Sequence, residues 1–411
     1  MGREGVPMTR RLILGIALLA GSALGYAQEA GLWVQAWSYD MPGEQAYLEQ
    51  LAQVAAAETG EPVRITFDKW DHAHEAIGQW GKDGKGPDLV VVADIWLAEF
   101  APHLEPLNTL VGQSLKDQFY PVLFEKGVYE GNVLGLVWAT STKALFYRRD
   151  LFEKAGINPP KTWEEQLGAA VALNNPPHVY GLGLPGKREY ETDDNLYFYF
   201  WSAGGEFFDA DGRCTLNSEA GVKALQFYVD LANKYHVTQP ELTTWSRKET
   251  RRLFEQGRLA MFAEGPWTIE QCRKNSPGLE FGVVPLPVDK ELVTQIITDH
   301  LVLMRYSTKK ALARRFIEIA YRDDQRLAYT TLGLIPEKKT VAQSAHFQDD
   351  PHWKVFVDVI PYGRTIPLIQ WEEIGIAIRE AMYQALSARQ TPREALDAAA
   401  ARIDEIRARQ Q

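Results

Sequence analysis

From residue 32 onward, apolar and polar positions switch between two periods, and each switch marks an element. Residues 32–37 read as a strand. Leu48, Leu51, Ala52 and Ala55 then recur at the spacing of one helix face, which Thr59-Gly60 stops. Val63, Ile65 and Phe67 alternate with polar residues and predict a second strand, and residues 71–80 predict a second helix. A polar, glycine-rich run from 81 to 86 leads into Leu89-Val90-Val91-Val92, an apolar run that reads as a strand buried on both faces. Strands alternating with helices predict βαβ units and a parallel sheet.

In open α/β sheets the ligand crevice lies outside the carboxyl ends of the strands. Asp94 and Trp96 follow the central strand, and Trp37 and Trp70 are expected just past the ends of the first two. Asp94 there either accepts hydrogen bonds from a ligand or caps the next helix, and each indole either offers a flat face or packs beneath it.

Further along, residues 131–142 predict a strand running through small hydroxyl residues into a second strand at 144–150. The chain is expected to cross between lobes here, which makes Trp138, Ser141 and Thr142 candidates. A short helix at 150–155 is closed by Gly156. Thr162 and Glu165 have the spacing of a capping box, each side chain satisfying the other's backbone donor. Gly181, Gly183 and Gly186 match G-x-G-x-x-G, but Pro185 and Lys187-Arg188-Glu189 replace the apolar helix that a dinucleotide needs, so that reading is rejected. The aromatic-rich stretch 193–206 predicts a helix lining the second lobe, and 218–235 an amphipathic one. Residues 259–262 predict a strand followed by Glu264 and Trp267, and 281–287 the next. Residues 296–303, with Asp299 and His300, carry the chain back to the first lobe. The rest is mainly helical, with Arg364 and Trp371 in a segment entering a late helix. The acidic pairs Asp193-Asp194 and Glu372-Glu373 read as solvated faces.

A length of 411 residues exceeds what one core usually supports, so two lobes are expected. The formal charge of -10 is spread along the chain, which argues against nucleic acid and anionic membrane surfaces as partners. Arg10-Arg11, an apolar run at 12–20 and small residues up to Ala27 predict a signal peptide over residues 1–27 and a secreted protein. Its removal takes three arginines and one glutamate, a net +2, and moves the charge from -10 to -12. No cysteine near the cleavage site suggests a lipid anchor. Cys214 and Cys272 either pair or stay separate, and no histidines stand at metal-ligand spacing to them.

Several stretches together resemble a family. They are Gly86-Pro87-Asp88-Leu89 through Trp96, Tyr147-Arg148-Arg149-Asp150-Leu151-Phe152, Pro159-Pro160-Lys161-Thr162-Trp163-Glu164, Phe254-Glu255-Gln256-Gly257-Arg258-Leu259-Ala260-Met261 through Trp267, and Arg389-Gln390-Thr391-Pro392-Arg393-Glu394-Ala395-Leu396. In this order they resemble the extracellular solute-binding proteins of bacterial ABC importers, a family that includes the maltose- and maltose/trehalose-binding proteins. The resemblance implies an α/β fold of the periplasmic-binding-protein type II, with two α/β lobes joined by crossing hinge strands. Lobe one would comprise 28–139 plus 297–340, and lobe two 140–296 plus 341–411. It further implies a periplasmic monomer, without enzymatic activity, cofactor or metal, that captures a sugar in the cleft and delivers it to a membrane permease.

On the same resemblance, Asp94 matches the acidic residue that holds sugar hydroxyls and Trp267 the stacking indole. Trp371 falls near another family aromatic. Ser141 stands where maltose-binding members carry a glutamate, and Asp299-His300 where many carry small residues, which implies a smaller, more polar ligand. The candidate ligand-binding set is thus Trp37, Trp70, Asp94, Trp96, Trp138, Ser141, Glu264, Trp267, Asp299, His300, Arg364 and Trp371. A pyranose suits such residues, because its C–H face packs on an indole and its hydroxyls seek polar partners.

Two other functions fit part of the pattern. A secreted glycosidase would use Asp94 and Glu264 as its carboxyl pair, although neither G-x-S-x-G nor H-E-x-x-H occurs. A polyol phosphate such as glycerol 3-phosphate would need arginines in the cleft, for which Arg364 and Arg188 are the candidates.

Overall fold

The computed structural model of the protein describes residues 31–39, 41–189, 191–369 and 371–410. The expected signal peptide lies outside the described residues. The first sheet contains β1 (Leu32–Ser38), β2 (Val63–Lys69), β3 (Leu89–Ala93), β4 (Leu104–Glu105), β7 (Gly135–Ser141) and β12 (Ile297–Met304). Their order is β2-β1-β3-β12-β4, with β7 also paired to β12. A small hairpin, β5 (Val128–Tyr129) and β6 (Asn132–Val133), precedes β7. The second sheet has the order β10-β8-β9, with β8 (Ala144–Arg148), β9 (Met261–Glu264) and β10 (Phe281–Val284) antiparallel. A further pair, β11 (Thr294–Gln295) and β13 (Gly363–Arg364), runs parallel.

The β1, β2 and β3 strands pair in parallel, as their alternation with helices requires. The sheet as a whole is mixed, not parallel as expected, because β12 runs antiparallel to β3, β4 and β7. Every residue of β3 is buried, which accounts for its unbroken apolar run.

Two crossings leave the first sheet, one to the second sheet and one to the β11–β13 pair. One runs from Ser141 at the end of β7 to Ala144 at the start of β8, the other from Gln295 in β11 to Ile297 in β12. Thr294 ties them together: its Oγ1 accepts from the Lys143 N–H and donates to the Lys143 carbonyl, both at 2.8 Å. Two hydrophobic clusters flank this region. One is built around the first sheet, and the other around the helices Asp194–Ser202, Glu219–Asn233 and Glu372–Leu386. Cys272 lies in the first and Cys214 in the second, both as buried free thiols.

Thr162 caps the helix Trp163–Leu173 by accepting from the Glu165 N–H at 3.2 Å. The return bond differs from the expected capping box, because Glu165 accepts from the Lys161 N–H at 2.6 Å. A complete box forms instead between Ser246 and Glu249 at the start of the helix Arg247–Glu255.

Candidate functional site

The end of β3 builds one side of the site. The chain passes directly from β3 into the helix Asp94–Phe100, so Asp94 is a first-turn residue whose carboxylate is favoured by the helix N-terminus. It is buried, 3.1 Å from the Lys126 ammonium, and receives a long hydrogen bond of 3.4 Å from the Thr298 hydroxyl. Strand register brings Asp299 alongside, since it pairs with Ala93 across β3 and β12. Asp299 is half-buried and accepts from the Tyr39 hydroxyl at 2.7 Å. Burial pushes its carboxyl up to about 8; the Tyr39 bond opposes this, while Asp94 and Glu191 reinforce it.

The opposite side comes from the helix Asp194–Ser202 and the residues before it. All nine residues of that helix are buried, and it carries Asp193 and Asp194 inward with it. Asp193 pairs with Arg379 at 3.2 Å and accepts from the Tyr197 hydroxyl. Burial raises the Asp193 carboxyl against the opposing pull of Arg379 and Tyr197. Asp194 receives the Gln295 amide at 2.8 Å, and burial pushes its carboxyl up to about 7 despite Lys143 nearby. These two acidic residues were expected on a solvated face, and the structure places them inside. The signal lay in the residues that follow: Leu196 to Trp201 has no polar stripe apart from tyrosine hydroxyls, and a helix apolar all round is buried with both its ends.

Between the two sides lies a cavity of about 40 Å³, whose wall includes Asp94, Asp193, Asp194, Gln295, Trp371 and Arg379. That is room for a few waters and far less than the roughly 300 Å³ or more of a small-molecule pocket. A larger ligand requires the two sides to part.

Glu264 sits at the end of β9, fully buried between the Arg247 guanidinium at 2.8 Å and the Lys143 ammonium at 3.4 Å. Burial would raise its carboxyl, but Arg247 and then Lys143 override it and hold Glu264 down at about 2. The same cations lie over the half-buried Trp267 ring, Lys143 Nζ at 5.1 Å and Arg247 Cζ at 5.4 Å from its centroid. The ring folds back so closely on Gly265 that a Cβ there would meet it at 2.4 Å.

The other expected residues are distributed as follows. Trp70 and Trp96 are half-buried and in contact, with centroids 5.9 Å apart, and pack against both hydrophobic clusters. Trp37 touches Trp70 at 6.2 Å but is a correction to the expected rim position: it lies within β1, buried, donating its indole N–H to the Val91 carbonyl at 2.7 Å. Trp138 is likewise a core residue, fully buried, with its N–H on the Tyr329 hydroxyl at 3.0 Å. His300 follows Asp299 on a strand, so its ring points to the opposite face, and there it packs against Gly135. Burial, then Lys126, pushes its imidazole down to about 3.

Ser141 is buried at the end of β7 opposite Ile297, in the crossing itself. Arg364 is at the surface, paired with Glu206 and with Glu291 at 3.2 Å, and Arg188 is exposed on Glu380 at 2.7 Å, so neither lines the cavity. Trp371 does line it, buried, with its N–H directed to the Tyr197 hydroxyl at 3.3 Å. Glu191, Tyr197, Gln295 and Arg379 stand in the wall without having been singled out in the sequence, beside Asp193 and Asp194, which were expected on a solvated face.

Among the described residues, the two sides thus meet in a cleft at the crossing of the chain, flanked by the two hydrophobic clusters. The sequence profile of the bacterial extracellular solute-binding protein family matches residues 40–326, and the chain belongs to that family. A Brucella abortus relative, described no further than as a binding protein, is 29% identical over 96% of this chain and 97% of its own. A maltotriose-binding protein of Pyrococcus abyssi is 26% identical over 61% of this chain and 52% of its own. Among solved structures, a Thermotoga lettingae ABC transporter solute-binding protein bound with alpha-D-tagatose is 26% identical, with a TM-score of 0.80 over 92% of this chain and 99% of that one. The sugar-binding protein MalE of Xanthomonas citri shares the fold at a TM-score of 0.82, with 21% identity over 92% of this chain and 98% of its own.

Proposed function

We propose that the protein is the substrate-binding component of an ABC importer, a periplasmic monomer that closes its lobes on a carbohydrate and delivers it to the membrane permease. The observation that carries the reading is the cavity at the crossing, where Asp94 from one side faces Asp193, Asp194, Trp371 and Arg379 from the other. Carboxylates and a guanidinium beside an indole suit hydroxyls on a partly apolar ring. The tagatose-bound and maltotriose-binding relatives support the same ligand class. In this reading the lobes comprise 28–139 with 297–340, and 140–296 with 341–411. Asp94, Trp70, Trp96, Glu264, Trp267 and Trp371 serve the opened cleft, and Trp37, Trp138 and His300 serve the core.

The glycosidase reading has less support. Glu264 is held ionised between Arg247 and Lys143, so it is not poised to supply the proton that glycoside hydrolysis requires. The polyol-phosphate reading loses Arg364 and Arg188 to surface carboxylates. Thermal-shift and tryptophan-fluorescence titrations against mono-, di- and trisaccharides and glycerol 3-phosphate, with product analysis in the same wells, test the function. A saturable shift with intact sugar is expected. Turnover would favour the glycosidase, and a response to the phosphate alone would replace the sugar.

A further inference from the structure

The acidic groups of the cleft do not all have cations. Asp94 has Lys126, Asp193 has Arg379, and Glu191 and Glu264 share Arg247, with Lys143 also on Glu264. Among the described residues, Asp194 and Asp299 form no ion pair. For Asp299 the Tyr39 hydroxyl stands in place of a cation.

Asp194 is the more exacting case. It is 7% exposed, lines the cavity, and among the described residues its Oδ2 has no hydrogen-bond donor. Its Oδ1 takes the Gln295 amide N–H at 2.8 Å. That bond fixes the Gln295 amide, because a carboxylate accepts and the NH2 end must face it. Gln295, 3% exposed and also in the cavity wall, is thereby left with its Oε1 without a donor. Two neighbouring acceptors, one of them acidic, thus share one wall of the cavity, each with an oxygen that no donor among the described residues reaches. A buried acceptor without a donor carries the cost of its lost hydration, and a charged one more.

A neutral sugar supplies hydroxyl donors but no charge for a carboxylate that Lys143 favours only from a distance, without pairing with it. An ammonium supplies three donors and the missing charge together. We propose that the ligand of this cleft is an amino sugar carrying a protonated amine, seated between Asp194 Oδ2 and Gln295 Oε1. The inference rests on the carbohydrate reading above.

Calorimetry on the mature full chain tests it, with glucosamine, galactosamine and mannosamine each compared with its parent hexose and its N-acetyl derivative. At least one amine is expected to bind tenfold or more tighter than both neutral counterparts. A neutral sugar bound as tightly as its amine overturns the inference and leaves the carbohydrate reading standing. Binding of none of the nine overturns the inference, and the titrations against di- and trisaccharides then decide the carbohydrate reading separately.

Asp194→Asn keeps the shape and removes the charge. It should abolish the preference for the amine, so that amine and parent hexose bind alike whatever their common affinity, with the melting temperature of the empty protein reporting on its folding. Undiminished amine binding by this variant overturns the proposal.

The wild-type protein gives a second readout. Asp194 is faced by Lys143, which favours its ionised form, by Asp193 and Glu191, which oppose it, and by the Gln295 amide. An ammonium draws the carboxyl down, so binding should release protons near pH 6, and affinity should rise between pH 5.5 and 7.5. Proton uptake on binding, or affinity that falls over this interval, contradicts the assignment.

Discussion

At the scale of the residue, the cleft concentrates carboxyl groups whose surroundings push them in opposite directions. Glu264 is held at about 2 by Arg247 and Lys143 against its burial, so the stability it contributes is present above the unfolded value near 4.5 and is lost as pH falls toward 2. Asp299 behaves in reverse. Burial raises it to about 8 from 3.8, so the folded state holds a proton that the unfolded chain releases. Its contribution is greatest below about pH 4 and is lost as pH rises toward 8, at about 1.4 kcal/mol for each tenfold difference in acidity between the folded and unfolded states. Asp299→Asn keeps an acceptor for the Tyr39 hydroxyl. It should therefore leave the melting temperature unchanged at pH 5 and raise it by several degrees at pH 8.5; a uniform loss at both would show that the carboxyl is not strained by its burial. Trp267 poses a different question, because Arg247 and Lys143 already occupy one part of its surroundings. If the remaining ring surface stacks on sugar, Trp267→Ala should weaken binding by tenfold to a hundredfold, about 1.4 to 2.8 kcal/mol. Its midpoint of thermal unfolding should fall by less than that of a core tryptophan, and unaltered titration curves would remove it from the site.

At the scale of the element, the closure proposed above would turn on the crossing, and one threonine holds it. Thr294→Val would leave the buried Lys143 N–H and carbonyl each without the partner they share, at a cost of about 1 to 3 kcal/mol, read as a lower midpoint in urea. An unchanged midpoint would show that water or a shifted strand replaces the hydroxyl. The elements themselves were legible where the pattern is strong. The βαβ run, the buried β3 strand, and the turn of the chain from β7 into β8 all follow from periodicity and from glycine stops. What periodicity could not give was direction across the sheet, since β12 reads alike whether it enters parallel or antiparallel, and only its return from the second sheet fixes the latter. The same limit governed the site. Asp94 was expected from the end of β3 and Trp371 only from the family resemblance, yet alternation along β12 sends Asp299 and His300 to opposite faces. Trp37 and Trp138 read like rim indoles until their N–H groups are seen bonded inside. Asp193 and Asp194 were hidden for the converse reason. An acidic pair is ordinarily solvated, and the partners that permit its burial, Arg379 and Gln295, lie 186 and 101 residues away.

At the scale of the whole molecule, the cleft is narrow because contacts from both sides cross it. Ile95 belongs to the second hydrophobic cluster although its helix, Asp94–Phe100, continues directly from β3 of the first sheet. Lys126, in the turn Glu125–Gly127, pairs with Asp94 and also donates to the Ile366 carbonyl at 2.9 Å, in the segment that leads to the helix Glu372–Leu386. A single ammonium thus neutralises the first side and fastens it to the second. Removing one partner of a buried ion pair usually costs about 3 to 5 kcal/mol, since the other charge is left in a poor solvent. A hinged molecule has another course open to it: by parting its lobes it returns Asp94 to water and avoids most of that cost. Lys126→Met should accordingly enlarge the radius of gyration in small-angle scattering of the ligand-free protein while lowering its stability by much less than about 3 kcal/mol. Saturating ligand should bring the radius back toward that of the wild type, at reduced affinity, because part of the binding energy then goes into closure. If the variant instead keeps the wild-type radius and loses the full amount of about 3 to 5 kcal/mol, the two sides do not move apart at this joint, and the route by which a ligand enters must lie elsewhere.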